Sequence, residues 1–502
     1  MRKRDGQATI QRGWRSLSFR PIGSWRSRAL ARRARELSDR AFAELARGRI
    51  PADLTTVAAS QLDLADHWHA AGATRQAAEA VNDAARLLFH RAIHFDSLHS
   101  PLASDPATFL ARWRQSATVN QLTAARGRAV PATDPPADRP LRLLVLTNGN
   151  PHFLREIRER YAEHPGVELR YAHLAEDPAA AGLLVGAVTV MEHRLGGADE
   201  YGDAVRQWLQ PHLDWADTVF VDWCVLAAAT LTLIDPGATR VVARLHSFEI
   251  FTVWPQLMDL SRVDELVFVS EHLRDLAISV DPRLTAGSAP RLHVAPNAMS
   301  LTGFAGDKPA DARFTVGVIG VSSVAKDPRW AVAVLAELRR IDPRYRLALV
   351  GGEISTKAGP VARRYREGLD ADIDALGADA VDRREHTADV PGTLRGIGVI
   401  LSSSVRESFH CALVEGAASG AVPVVRDWPF FAGRSTGARS LFPADWVVDD
   451  PRGAADRIAA LTADERVWRA AGAAAQALAV ATWNWPVVAP EFDRLLLPAT
   501  DV

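Results

Sequence analysis

The chain has only two cysteines, Cys224 and Cys411, in 502 residues. Both stand in apolar surroundings, which excludes a disulfide framework and makes a reducing cytoplasm the expected compartment. No window approaches about 18 consecutive apolar residues, so no transmembrane helix is predicted. No apolar core segment follows the Arg-rich N-terminus, and no signal peptide is expected. Lysine is equally scarce, with four against 55 arginines, and Ala is abundant. That bias reads as GC-rich coding, and it gives a well-placed lysine more weight.

What remains is an ordinary globular composition, with 48% hydrophobic and 24% charged residues and a formal net charge of -1. The length suits two large domains or three smaller ones. The near-zero charge conceals an asymmetry. Residues 1–40 carry twelve Arg and Lys against three acids, with Trp14, Phe19 and Trp25 interleaved. Such a segment suits an anionic membrane surface or a polyanionic glycan, or it is a basic tail leading into a helix. The expected location is cytoplasmic, with peripheral contact at the inner face of the membrane through residues 1–40.

Residues 1–128 read as this basic segment followed by a helical region. Apolar residues recur at three- and four-residue spacings in RALARRARELSDRAFAELARG and in RQAAEAVNDAARLLFHRAI. Residues 129–140 read as a Pro-rich linker. Then LRLLVLT (141–147) is a near-continuous apolar run, as in a strand buried on both faces. Alternating strands and helices follow over 141–305 and again over 306–483. The expectation is α/β: two Rossmann-like domains facing across a cleft, with a helix in 484–502 rejoining the first. Ligands of such sheets bind beyond the carboxyl ends of the strands.

Three strand ends stand out. VGVIGVSSVAKDP places Gly317 and Gly320 at one, with Lys326 beyond, where glycine permits close approach and lysine attracts phosphate. Val350-Gly351-Gly352 closes another. The third opens RESFHCALVEGAASGAVPVV, residues 406–425. A helix is expected to start close to Ser408, with its N–H groups facing the cleft as an anion site. Glu407 and Glu415 would then lie roughly 12 Å apart along the axis. That is about the span of a sugar diphosphate joined to ribose. Alternatively, Glu407 is a favourable charge at a helix N-terminus and Glu415 a surface residue.

RESFHCALVEGAASGAVPVV resembles the E-x7-E motif of retaining, two-domain (GT-B) glycosyltransferases, in particular family GT4. Other stretches follow that family's order: Asn148-Gly149-Asn150, RLHSFE with His246, VFVSEHLRD, VAPNAM with Asn297, and WNWPVVAPEFDRLL. The resemblance spans roughly residues 140–495. It departs in having Val321 where an arginine is common, so Lys326 is expected to work with another, Arg329 being near. It also has His410 where glycine is common.

The resemblance implies retaining transfer of a sugar from a nucleotide-sugar donor to a glycan or lipid-linked acceptor, in cell-surface polysaccharide biosynthesis. No metal or other cofactor and no nucleic acid is expected. His246 and Glu407 become the catalytic candidates, Glu407 on the donor sugar hydroxyls and His246 at the transferred sugar or acceptor side. Glu415 is assigned to the ribose. Gly149, Gly320, Lys326, Ser408, Phe409 and His410 are donor candidates. Asn150, Glu249 and Asn297 belong to the acceptor side or the interdomain crossing. Asp222 and Glu249 are candidate acceptor-activating bases, and Trp223, Trp254 and His272 either line an acceptor groove or pack the core. Competing readings are a nucleotide-sugar epimerase, a phosphorylase, or a non-catalytic glycan-assembly subunit.

Overall fold

The computed structural model describes residues 25–136, 138–355 and 359–498. The expected membrane contact over residues 1–40 falls outside them up to residue 24. Two parallel six-stranded sheets carry the chain. The first is built from β1 (Leu141–Thr147), β2 (Val167–His173), β3 (Thr218–Asp222), β4 (Arg240–Leu245), β5 (Glu265–Phe268) and β6 (Arg291–Val294). Its order is β2-β1-β3-β4-β5-β6. The second contains β7 (Thr315–Ile319), β8 (Arg346–Val350), β9 (Val381–Arg384), β10 (Val399–Ser402), β11 (Val422–Arg426) and β12 (Val447–Val448). There the order is β12-β11-β10-β7-β8-β9.

The inner strands are buried along nearly their whole length because helices cover both faces, which is why LRLLVLT carries almost no polar residue. The chain direction of the strand order reverses between β1 and β3 in one sheet and between β7 and β10 in the other. A crevice opens at each reversal, outside the carboxyl ends. Those four strands end at Thr147, Asp222, Ile319 and Ser402, and the candidate residues follow directly.

Before the sheets come helices Trp25–Ala46, Leu54–Ala70 and Thr74–Leu88, followed by five short ones ending at Thr123. Thr74–Leu88 buries Ala77, Ala78, Val81, Ala84, Ala85 and Leu88, small residues that let helices approach closely. Ser100, Asp105 and Ser116 cap the short helices by accepting from Ala103, Thr108 and Val119 N–H groups. The helical core is continuous with that of the first sheet and with one face of the second, which carries Ala348, Val350, Ile400 and Val425. Just before the linker, Arg128 pins the chain to the first sheet's surroundings by bonding Asp264 and the carbonyls of Gly237 and Thr239. The closing helix Trp485–Leu496 lays Val488, Phe492 and Leu496 on Leu143 and Phe220 of the first sheet.

Candidate active site

At the β7/β10 reversal, Lys326 and Glu407 meet. Nζ of Lys326 donates to Oε1 of Glu407 at 2.6 Å, and the Ser404 hydroxyl donates to the same oxygen at 2.5 Å. Ser403 donates to the Lys326 carbonyl and the Val405 N–H to the Ala325 carbonyl, which ties the two loops together. Burial alone would raise the Glu407 pKa. His410, Lys326 and Ser404 outweigh it and hold the carboxyl at about 2. Burial also pushes His410 down to about 4, so at neutral pH the lysine and serine carry that stabilisation. Gly320, in the left-handed region at φ +86, sends its N–H to the Val350 carbonyl and brings the loop beside β8.

The helix starts at Cys411, not near Ser408, and runs to Ala418. Glu407 therefore stands in the loop before it, and the two glutamates do not share one helix. His410 is the N-cap, at φ +74, ψ +62, and its Nδ1 accepts from the Leu413 N–H at 3.3 Å. That backbone conformation is one glycine adopts freely. The side chain does not turn away: its Nε2 lies 3.6 Å from Glu407 Oε1. Phe409 is fully buried with its ring edge-on to Trp483, so as a donor contact it is corrected to core packing. Ser408 is half-buried in the loop. Glu415 is half-buried, has no ion pair or side-chain hydrogen bond among the described residues, and burial raises its pKa. A Cβ on Gly416 would meet Ile400 at 2.4 Å, which explains the small residues in CALVEGAASG: the helix lies directly on β10.

At the β1/β3 reversal of the other sheet, Asp222 Oδ1 accepts from Arg244 Nε at 2.7 Å and from His246 Nε2 at 3.0 Å. Burial would raise the Asp222 pKa, but Arg244 and His246 draw it well below the usual carboxylate range. Burial lowers that of His246. With its Nε2–H given to Asp222, the neutral ring stacks on Trp223 at 4.2 Å. Trp223, at φ +71, lies across Gly149, where a Cβ would fall 2.4 Å from the indole. The indole N–H reaches the Asn150 carbonyl, and the Asn150 side chain caps His152 N–H. Glu249 is fully buried, accepts from the His246 and Cys224 N–H groups, and is pushed up to about 8 by burial. A carboxyl that is neutral at pH 7 and closed to solvent is not an acceptor-activating base, and Glu249 is corrected to a loop-positioning residue.

The two loop systems touch. His272 Nε2 lies 3.0 Å from the Glu407 carbonyl, and Asn297 Nδ2 donates to Cys411 Sγ at 3.4 Å. The Asn297 Oδ1 is buried without a partner. His272 is itself buried against Trp428 and Phe431, so it packs the interface and lines no groove. Arg329 turns away from Lys326 to pair with Asp372. The arginine beside this lysine loop is Arg426, held by Asp327 at 2.6 Å. Arg426 and Arg244 were not legible as site residues, because their partners Asp327 and Asp222 are distant in sequence; Ser404, three residues from Glu407, carries no pattern that sets it apart from its serine neighbours. Among the described residues no His, Cys, Asp and Glu group is placed to hold a metal ion, and no helix is long and apolar enough to cross a membrane.

No family model matches the chain, and no curated protein matches it. Among solved structures it is similar to Anabaena HepE in complex with UDP-glucose. The TM-score is 0.52 at 16% identity, over 71% of this chain and 99% of that one. It is also similar to a UDP-forming trehalose-phosphate synthase from Burkholderia xenovorans, at TM-score 0.49 and 11% identity, over 72% of this chain and 100% of that one. The likeness to HepE is one of fold: the two-sheet GT-B architecture expected from the sequence is the one present.

Proposed function

We propose that the chain is a retaining glycosyltransferase of the GT4 kind, moving a sugar from a nucleotide-sugar donor to a glycan or lipid-linked acceptor in polysaccharide biosynthesis. The observation that carries this is the Lys326–Glu407 pair at the β7/β10 reversal, in the loop that leads into the helix Cys411–Ala418. HepE, whose fold is similar, was solved with UDP-glucose. Departure of a nucleoside diphosphate requires stabilisation of developing negative charge, which a fixed lysine and helix N–H groups provide. Glu407 holds donor sugar hydroxyls, and Glu415, unpaired and half-buried, is available to the ribose diol. His246, its ring oriented by Asp222 and Trp223, serves the acceptor side.

The reaction needs no metal in this reading: the lysine takes the part a divalent cation would otherwise play. A thermal-shift screen against UDP-, GDP- and ADP-sugars tests it. A rise in melting temperature with one nucleotide class, lost in Lys326→Met, is expected. No shift with any of them in the parent protein would overturn the donor assignment.

A further inference from the structure

Arg406 directly precedes Glu407, and all three parts of the chain meet on its guanidinium. The guanidinium carbon lies 4.9 Å from the Phe95 ring centroid, 4.8 Å from Phe251 and 5.7 Å from Phe430. Phe95 belongs to the helical region. Phe251 ends the short helix Ser247–Ile250 that follows His246, and Phe430 follows β11. The rings also contact one another, Phe95 with Phe251 at 6.0 Å and Phe251 with Phe430 at 6.1 Å. Arg406 makes no ion pair or side-chain hydrogen bond among the described residues, and its Nε is buried without a partner. Nearby, Glu407 is already committed to Lys326 and Ser404, and His94, bonded to Ser100 and the Leu88 carbonyl, offers no negative charge. The half-buried guanidinium is seated on ring faces in place of carboxylates and is held there by the ring quadrupoles.

The same loop is braced from behind. Phe430 N–H donates to the Val405 carbonyl at 3.1 Å. Leu98 of the helical region packs with Val324, two residues before Lys326, and Arg434 donates to the Ala103 carbonyl. Arg406 thus anchors the loop on the aromatic rings while the next residue, Glu407, reaches Lys326.

We propose that Arg406 is a positioning residue, and that its aromatic seat, completed by Phe95, makes the helical region a working part of the site by fixing the loop Val405–His410. The functional consequence rests on the donor reading of Glu407; the structural one does not. Phe95→Leu and Arg406→Met keep apolar volume while removing the ring face or the cation, and Phe95→Tyr keeps both. Hydrogen–deuterium exchange of peptides covering residues 403–412 is the direct readout. In Phe95→Leu and Arg406→Met it should rise roughly tenfold relative to the parent protein, with β1 to β5 unchanged and Phe95→Tyr like the parent. KM for the nucleotide sugar should rise in the first two and not in the third. Exchange that stays at the parent level in 403–412, or rises only within the helical region, overturns the positioning role. A parent protein that binds no nucleotide sugar while its loop exchange still responds leaves the positioning role standing and removes the donor reading alone.

Discussion

Nζ of Lys326 and Oε1 of Glu407 are 2.6 Å apart, across 81 residues of sequence. On the proposed reading, the cation that would meet a diphosphate is here paired with the carboxylate that would meet a sugar. A donor bound as proposed would bring its own charge to Lys326 as Glu407 turns to hydroxyls, which would make the pair sensitive to single substitutions. Glu407→Gln keeps an acceptor for Ser404 but no charge for the lysine. Its kcat/KM in a nucleotide-release assay should fall about 100-fold or more, the scale of losing one preorganised electrostatic contact. Parent-level turnover would remove Glu407 from the mechanism.

Lys326→Met should be worse for stability than Glu407→Gln, because it strands a carboxylate that is 10% exposed. Loss of one partner of a buried pair costs about 3–5 kcal/mol, and the lysine's 25% exposure puts this case near the lower figure. Lys326→Met combined with Glu407→Gln should recover most of it, since neither charge is then left alone. Urea unfolding of the three variants measures the coupling. Additive losses would mean that the pair is not mutually dependent.

His410 combines a cap with a backbone conformation that disfavours it. His410→Gly loses the ring's bond to Leu413 N–H, worth about 1 kcal/mol, and gains the glycine's freedom at φ +74, worth a similar amount. Its stability should stay within about 1 kcal/mol of the parent. His410→Ala loses the cap and keeps the strain, so it should unfold about 1–2 kcal/mol more easily. Equal stability of the glycine and alanine variants would show that the left-handed turn carries no strain.

Long apolar strands such as LRLLVLT and the paired glutamates around CALVEGAASG were legible because burial on two faces and close helix–strand packing constrain every residue in them. Others were not. β9 reads VDRR, with polar side chains at a sheet edge, and β12 is two residues long, so neither has a period to detect. The helix start was misplaced at Ser408 because serine is a common cap, whereas the chain uses the His410 ring in a left-handed turn. The Arg406 seat draws on Phe95, Phe251 and Phe430, and no local pattern joins residues so far apart in sequence.

Glu249 gives the fold a pH dependence. Its carboxyl ionises at about 8 in the fold against 4.5 ordinarily, so between those values the unfolded chain has released a proton that the folded one keeps. The stabilisation from the neutral form is complete below pH 4.5 and is lost as pH rises toward 8. Glu249→Gln still accepts from the Cys224 and His246 N–H groups but has nothing to titrate. The variant should therefore gain on the parent from pH 5 to pH 8, by up to about 4 kcal/mol. Parallel stability–pH curves would place the Glu249 pKa at its ordinary value.

Gly149 supports Trp223 by having no side chain. Gly149→Ala puts a Cβ 2.4 Å from the indole, which must tilt off the His246 ring it now stacks on. Overpacking of this kind costs about 1–3 kcal/mol. Its effect should concentrate on the acceptor side, because His246 loses the stack that, with Asp222, fixes its ring. With Gly149 read as the support of Trp223 and not as the donor contact expected from the sequence, the expected result is a shift in tryptophan emission and a raised KM for the acceptor, with donor affinity at the parent level. A variant whose donor affinity falls as far as its acceptor affinity would mean that the two crevices are one energetic unit and that His246 has no separate side to serve.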